Sequence, residues 1–397
     1  MNKKFSILKF TLCLLIGIAI LAAPLSSAFA GGPKIKAMTR NLYLGADIFK
    51  VVEASQSTDL YAIPTAVAEV FQTAMFTNFP ARAEVIADEI AMFEPDVVGL
   101  QEVSTYYIQT PGDYLFGNTV QASDLVIDFY TVLDAALKAR GMEYTPFTVT
   151  NADIEMPMFY PIESNPRNLS DARLVDHDMI LVRKGHDAVE VLNGNYQDQL
   201  ELDLGGETAK FTRGYLAVDV DIKGTEYRFV NTHLEIAGAT DSVFRIYQDW
   251  QMQELLGTIG LIQGAGAKPL IMVGDFNSSP DDVEGIGILP HPDGDIPIKY
   301  IPPYMQAVNA GYLDTWRLQK KYDDGFTSGF DEYVSDPFDE LTSRIDLVFL
   351  SPLDLTLDKT LCDIVGNEIS DMVPNTNAPG YYLWPSDHAG VVAKIKF

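Results

Sequence analysis

Hydrophobic positions recur along this chain with two different periods. Between Ala81 and Phe93, the residues Ala83, Ile86, Ala87, Ile90 and Phe93 fall at helical spacing and predict one buried face, ended by Glu94-Pro95. Val126, Phe129, Tyr130, Leu133 and Leu137 predict a second amphipathic helix with Gly141 beyond its C-terminus. Ser242 to Gly257 predicts a third. Other runs are short, apolar and β-branched: 34–44, 96–103, 177–184, 269–273, 344–350 and 390–397 read as strands. YLAVDVDI (215–222) alternates with period two, Lys223-Gly224 turns, and TEYRFVNTHLE (225–235) returns, which predicts a hairpin. Strands interleaved with helices and hairpins predict a mixed α/β fold. Stretches near 104–120, 151–176, 280–302 and 365–383 read as long loops rimming one core, because none has the composition of a linker. Within them, the apolar string MPMFYP (156–161) reads as a lid or membrane-contacting finger, or as a segment packed on the core.

Composition narrows this picture. The chain has 397 residues, 47% of them hydrophobic, which excludes a disordered chain and allows a large core. Lys3, Lys4 and Lys9, an apolar run over 10–24 and Ala28-Phe29-Ala30 together predict a signal peptide over residues 1–30. A single domain then spans 31–397, and the protein is expected in the periplasm or the medium. Cys362 is the one cysteine outside that segment, so no internal disulfide is expected and the thiol should be buried. The formal net charge is −27, falling to −30 once the three lysines leave. Such a surface repels polyanions, and no Lys/Arg-rich run offsets it, which argues against a nucleic-acid-binding module. It argues less strongly against a nuclease, since bound cations invert the local field.

Candidate chemistry sits at strand ends. TRNLYL carries Asn41, VVGLQEV carries Glu102, and FVNTHLE carries Asn231 and His233. LIMVGDFN carries Asp275 and Asn277, RIDLVFL carries Asp346, and WPSDHAGVV presents Asp387 and His388. Open α/β sheets bind ligands outside strand ends, so these residues are expected to converge. Carboxylates without a Cys cluster or an H-E-x-x-H motif point to a hard cation, Mg2+ or Mn2+, rather than zinc. A carboxylate beside an imidazole fixes its tautomer and raises its basicity. Singly, each residue has a blander reading: Glu102 as a surface carboxylate, His233 as a core histidine, Ser386-Asp387-His388 as a helix cap. Their joint placement favours chemistry.

This ordered set, TRNLYL, DVVGLQEV, NTHLE, GDFN, RIDLVF and SDHAGVVAKI, resembles the endonuclease/exonuclease/phosphatase superfamily from about Lys34 to Phe397. The resemblance implies a four-layer α/β/β/α sandwich of two mixed sheets with outer helices. It implies Glu102 as principal metal ligand, with Asn41 and Asp387 beside the metal. It further implies Asp275 orienting the attacking water, Asn277 and His233 on the phosphate, and Asp346 paired with His388. Asn231, Asp178 and Trp384 are candidate substrate contacts, Trp384 as part of an aromatic group with Tyr43, Tyr381 and Tyr382 that could stack on a base or pack on a lipid. The expected activity is metal- and His-assisted attack of water on a phosphodiester. Nuclease-like action comes first; a sphingomyelinase-like phospholipase C or an inositol-phosphate phosphatase is the alternative, and a non-catalytic binding protein the most distant reading. The expected partner is a phosphoester substrate alone, acted on by a monomer.

Overall fold

The computed structural model describes residues 34–117, 120–159, 169–203, 208–319, 323–352, 357 and 359–397. The predicted signal peptide over residues 1–30 and residues 160–161 of the MPMFYP string lie outside the described residues.

Two mixed sheets carry the fold. In the first, the strands Lys359–Val365, Gly390–Lys396, Lys34–Asn41, Val97–Gln101 and Leu169–Arg183 lie side by side. Leu169–Arg183 is long enough to take two partners end to end along one edge. Residues 179–182 pair with Val97–Gln101 and residues 171–175 pair with Thr105–Gln109, leaving Glu102 at the break. Its other edge pairs with Tyr144–Phe159. The second sheet runs Leu313–Asp314, Asp346–Leu350, Leu270–Asp275, Thr225–His233, Gly214–Ile222 and Asp187–Asn195.

Period-two alternation sorts the side chains of these strands into layers. Ile35, Ala37, Ile180 and Val182 of the first sheet meet Val218, Phe229, Ile271, Val273 and Val348 of the second in one buried cluster, which also holds Cys362. Met38, Val98, Leu100 and Leu181 point the other way, onto Phe71, Phe79, Ile86, Ile90 and Leu133 of the helices. Val230, Leu270, Met272 and Phe349 do the same beneath Met252, Leu255 and Ile259 of the helix Val243–Ala265. The layers are therefore helix, sheet, sheet, helix. At Gly99 the sheets approach so closely that a Cβ would lie 2.5 Å from Val273 Cγ2 and 2.6 Å from Asn231 Oδ1.

Several expectations change. The second helix begins at Phe129, because the Asp128 side chain accepts from Thr131 N and caps it there; Val126 belongs to the preceding strand. The third helix starts after its cap Ser242 and continues through Gly257 to Ala265, its buried face extended by Ile259. The predicted loop 151–176 is largely the hairpin of Tyr144–Phe159 and Leu169–Arg183. Pro146 and Pro157 lie within its first strand, which tolerates them because one side of an edge strand needs no ladder hydrogen bond. Met156, Met158 and Phe159 are buried against the helices, so the described part of MPMFYP is core and not a finger. Residues 280–302 likewise contain a small hairpin, Gly285–Leu289 with Ile296–Tyr300. The predicted turn at Lys223-Gly224 has φ of 56° and 84° at its two residues, as a two-residue hairpin loop with right-handed twist requires.

Candidate active site

Register brings the strand ends to one rim. Lys34–Asn41 and Val97–Gln101 run parallel with Asn41 opposite Gln101, and Thr225–His233 and Leu270–Asp275 run parallel with His233 opposite Asp275. Asp346 begins an antiparallel strand opposite Asp275. The alternation that turns Ile271 and Val273 into the inter-sheet space also turns Asp275 there. In the same way Ala37 precedes Thr39 and Asn41, and Phe229 precedes Asn231 and His233. The space between the sheets is thus apolar in its depth and polar at this rim.

Three non-glycine residues at the rim occupy the left-handed backbone region: Tyr43 (φ 58°), Glu102 (φ 56°) and Asn277 (φ 48°). Each sits one or two residues past a strand and costs about 1 kcal/mol or more relative to ordinary backbone. Strain of this kind persists where surroundings over-determine it. Arg82 supplies such surroundings here. Fully buried, it donates to the carbonyls of Leu42 (2.7 Å), Tyr43 (3.0 Å), Thr77 (2.7 Å) and Pro385 (2.9 Å), binding two rim segments together. Arg40 does likewise, donating to the His388 carbonyl while pairing with Glu89.

His388 Nδ1 lies 2.8 Å from Asp346 Oδ2, and its Nε2 faces Asp275 Oδ2 at 3.8 Å and Asp387 Oδ1 at 4.0 Å. Burial pulls the His388 pKa down, but the charges of Asp346, Asp387 and Asp275 outweigh it and hold the imidazolium well above the ordinary range. His233 is the opposite case. Burial, then the Arg213 guanidinium and His388, push it well below the ordinary value, so it is neutral. Its ring lies 3.2 Å from Arg213 Nη1, and its Nε2 lies 3.3 Å from Asn277 Nδ2 and 3.6 Å from Asp275 Oδ2. Asp275 accepts from Asn277 N at 2.9 Å and Asn41 Nδ2 at 3.2 Å; burial and then the Asp346 charge push its carboxyl up to about 7.

Glu102 accepts from Leu44 N at 2.7 Å and from Asn41 Nδ2 at 3.1 Å. The Asn41 amide oxygen accepts from Tyr43 N at 2.8 Å, which fixes the orientation of the amide. In this arrangement Asn41 orients the Glu102 carboxylate through its nitrogen, and its oxygen is turned away from Glu102 and Asp275. Burial pushes Asp387 up to about 6, with Glu102 adding to the rise against the pull of His388 and Arg82. Two hard carboxylates lining one cavity, where the Glu102 charge adds to the rise at Asp387, are what a divalent cation relieves, so Glu102 and Asp387 fit a metal. Asp275, Asp346 and His388 also bring potential ligand atoms within 4.8 Å of one another. An imidazolium offers no lone pair, however, so this trio holds a proton and Glu102 with Asp387 remains the better cradle.

Three expected substrate contacts do not reach the cavity. Asn231 is fully buried and its amide is saturated: it donates to Leu100 O (2.9 Å) and Met179 O (3.0 Å) and accepts from Gln101 Nε2 (2.6 Å). It ties the two sheets together. Trp384 is buried, stacked on Phe330 with ring centroids 4.3 Å apart, and donates to Asp336 O. Asp178 is fully buried beneath the rim, where burial and the neighbouring Asp176 push its carboxyl well above the usual range. Arg213, in contrast, had no motif to mark it. It lines the cavity beside His233 and pairs with Glu235 at 3.3 Å.

These groups line a cavity of about 270 Å3 that takes in Glu102, Arg213, His233, Asp275, Asn277, Asp387 and His388. A sequence profile described as the Endonuclease/Exonuclease/phosphatase family matches residues 76–388. No curated protein matches the sequence significantly. Among solved structures, an endonuclease/exonuclease/phosphatase family protein from Bacteroides thetaiotaomicron is similar, with 15% identity, 92% of this chain and 95% of that chain covered and a TM-score of 0.51. A mannosyl-6-phosphatase of Bacteroides thetaiotaomicron VPI-5482 also aligns at 15% identity over 91% of this chain and 100% of its own, TM-score 0.51. The human Nocturnin catalytic domain aligns at 16% identity over 91% and 93%, TM-score 0.46. The two Bacteroides thetaiotaomicron structures share the fold. With a profile match over most of its length and with the site assembled at the rim, the chain belongs to the Endonuclease/Exonuclease/phosphatase family and is a metal-dependent phosphoester hydrolase.

Proposed function

We propose that this enzyme is an exported phosphodiesterase served by Mg2+ or Mn2+. The observation that carries the reading is the convergence of Glu102, Asp275, His233 and the Asp346–His388 pair on one cavity at the rim. Among the described residues Arg213 is the one lysine or arginine lining it, set against Glu102, Asp275 and Asp387. A diester carries one negative charge near neutrality and suits this balance better than a dianionic monoester, whose repulsion by the carboxylates is doubled. The basic, apolar and A-x-A sequence of residues 1–30 supports export.

Within this reading the cation, when bound, neutralises charge on the phosphoryl oxygens. Asp275, with a proton affinity near neutral pH, accepts a proton from the attacking water. Asn277, neutral His233 and Arg213 donate towards the phosphoryl oxygens. His388, kept as the imidazolium by Asp346, gives its proton to the departing alkoxide. Water oxygen joins phosphorus, the ester P–O bond breaks, and the products are an alcohol and a phosphomonoester.

The test is hydrolysis of bis(4-nitrophenyl) phosphate by purified protein with Mg2+, with Mn2+ and with a chelator. Turnover that requires metal, falls steeply in Glu102→Gln at the Mg2+ concentration that half-saturates the wild type, and disappears in Asp275→Asn is expected. Absence of turnover with either metal, or full turnover in both variants, refutes the proposal.

A further inference from the structure

The catalytic cavity is lined by apolar side chains as well as by carboxylates and histidines. Among them are Ile48, Ile154, Leu174 and Phe211, none of them fully buried. The same four side chains also line a second cavity, of about 70 Å3, that continues from the first. It lies between the helices Phe49–Ser55 and Ala62–Phe76 and the long hairpin, and its far wall includes Val51, Val67, Val70, Phe71, Met156 and Ala172. Only Tyr106 and Arg173 among its lining residues carry polar side-chain groups, and both are engaged. Tyr106 Oη donates to Leu44 O at 2.9 Å, and the Arg173 guanidinium is held by Asp153 at 2.6 Å. The path from the scissile group therefore leads into a cleft with aliphatic and aromatic walls.

We propose that this cleft takes a hydrocarbon chain of the substrate, so that the phosphodiester cleaved is a lipid-type one with a long apolar group on one side of its phosphate. The inference rests on the phosphodiesterase reading above and names its substrate class. A nucleobase entering the same cleft buries its hydrogen-bonding edge against carbon with no partner offered, which is unfavourable. A methylene chain has no such groups, and each methylene buried there is favourable. Charge points the same way: a surface of formal charge −27 repels a polynucleotide far more than a diester bearing a single charge. The half-buried throat residues are accounted for as well, since apolar side chains left wet beside a catalytic centre are covered once a chain lies across them.

The experiment is a chain-length series of 4-nitrophenyl n-alkyl phosphodiesters, from methyl to dodecyl, assayed as monomers with Mg2+. The expected result is a kcat/KM that rises about two- to fourfold per methylene over the first several carbons and then levels off. Ala172→Phe, which fills the second cavity from the hairpin side, and Val67→Phe, which fills it from the helix side, each lower the dodecyl-to-methyl ratio at least about tenfold. Two variants on separate elements guard against one failing to fold. Hydrolysis of the methyl ester with a flat profile overturns the chain cleft and leaves the phosphodiesterase reading standing. Cleavage of single-stranded DNA faster than of the dodecyl ester, per phosphodiester, also overturns it, in favour of a nucleic-acid substrate. No hydrolysis of any diester, bis(4-nitrophenyl) phosphate included, sinks the phosphodiesterase reading and this inference with it.

Discussion

Asp346→Asn tests the proton-holding pair with almost no change of shape. Asp346 is buried, its Oδ2 lies 2.8 Å from His388 Nδ1, and its backbone N donates to Thr327 Oγ1 at 3.1 Å, a bond the variant keeps. The substitution removes one of three carboxylate charges that hold the imidazolium. Two unit charges about 4 Å apart interact by about 4 kcal/mol at an effective dielectric of ~20, equal to about three pK units. Asp387 and Asp275 retain part of the hold, so the imidazolium loses part of its elevation. The sign follows from the direction of the shift. A histidine raised by its neighbours is protonated below its folded pKa and loses the proton as pH rises, so the alkaline limb of kcat moves to lower pH. The amide can also present its NH2 to Nδ1 and favour the wrong tautomer, for which losses of about 10^3 to 10^4 in kcat are the precedent. The assay is kcat and KM on a dialkyl phosphodiester, whose alkoxide needs the proton to leave, at saturating Mg2+ across pH, beside thermal melts. Expected are a kcat lower by about 10^2 to 10^4, a KM within about threefold, and a Tm within about 4 °C. Adding His388→Ala should then cost little more, because partners acting as one unit are not additive. A kcat within about tenfold of wild type, or a rate loss that merely tracks a collapsed Tm, refutes the catalytic role of the pair.

Glu102→Gln should raise the Mg2+ concentration for half-maximal activity by about tenfold or more, measured by metal titration at fixed substrate; an unchanged half-saturation removes Glu102 from the cation site. Asn231→Leu leaves Gln101 Nε2, Leu100 O and Met179 O without their partner and should cost about 3 kcal/mol in urea unfolding, with KM of the folded enzyme unchanged; a raised KM at unchanged stability restores Asn231 as a substrate contact. Asp219 accepts from Arg228 Nε at 2.8 Å and Nη2 at 2.9 Å and from Lys268 Nζ at 2.7 Å. Burial raises its carboxyl, but the two cations outweigh burial and hold it below its ordinary value. Its stabilisation is therefore present above the unfolded pKa of about 4 and lost as pH falls through the folded one. The gap in unfolding midpoint between wild type and Asp219→Asn should be open at neutral pH and close in acid; a gap independent of pH contradicts the charge assignment.

What was legible in the sequence follows from the geometry of strands. Asp275 and His233 declare themselves because an apolar alternating run fixes which face they share with Val273 and Phe229, and both runs stop in polar residues. Asn231 misleads for the same reason: it obeys the same alternation, but it lies two residues deeper, where the sheets touch at Gly99 and no ligand can enter. Trp384 sits next to the Ser386-Asp387-His388 segment in the chain, yet nearness in sequence does not fix the direction of a side chain in irregular backbone. Arg82 and Arg213 carry no local pattern at all. Arg82 reads as one residue of an amphipathic helix, and only the folded chain reveals that its guanidinium donates to the carbonyls of Leu42, Tyr43, Thr77 and Pro385.

The same contrast explains why the reaction class was easier to read than the substrate. Catalytic groups lie at the ends of regular strands, so a short string locates each one, and a fixed register does the rest. The apolar cleft is assembled differently. Ile48 lies just before a short helix, Val67 belongs to the next helix, Ile154 and Leu174 belong to two strands of one hairpin, and Phe211 ends another strand. Each is an unremarkable hydrophobic residue in its own segment, and Ile154 and Leu174 fall in a stretch whose prolines disguise the hairpin. Because Leu174 pairs directly with Ile154 across that hairpin, a shift in register by one residue puts the two on opposite faces, so that they no longer share the cleft. Substrate selection of this kind is therefore set by strand register and helix placement, which accumulate from the whole chain. It should change between proteins that keep Glu102, His233, Asp275 and His388 unaltered, and the chain-length profile, more than any rate on a generic diester, is where such a change would be read.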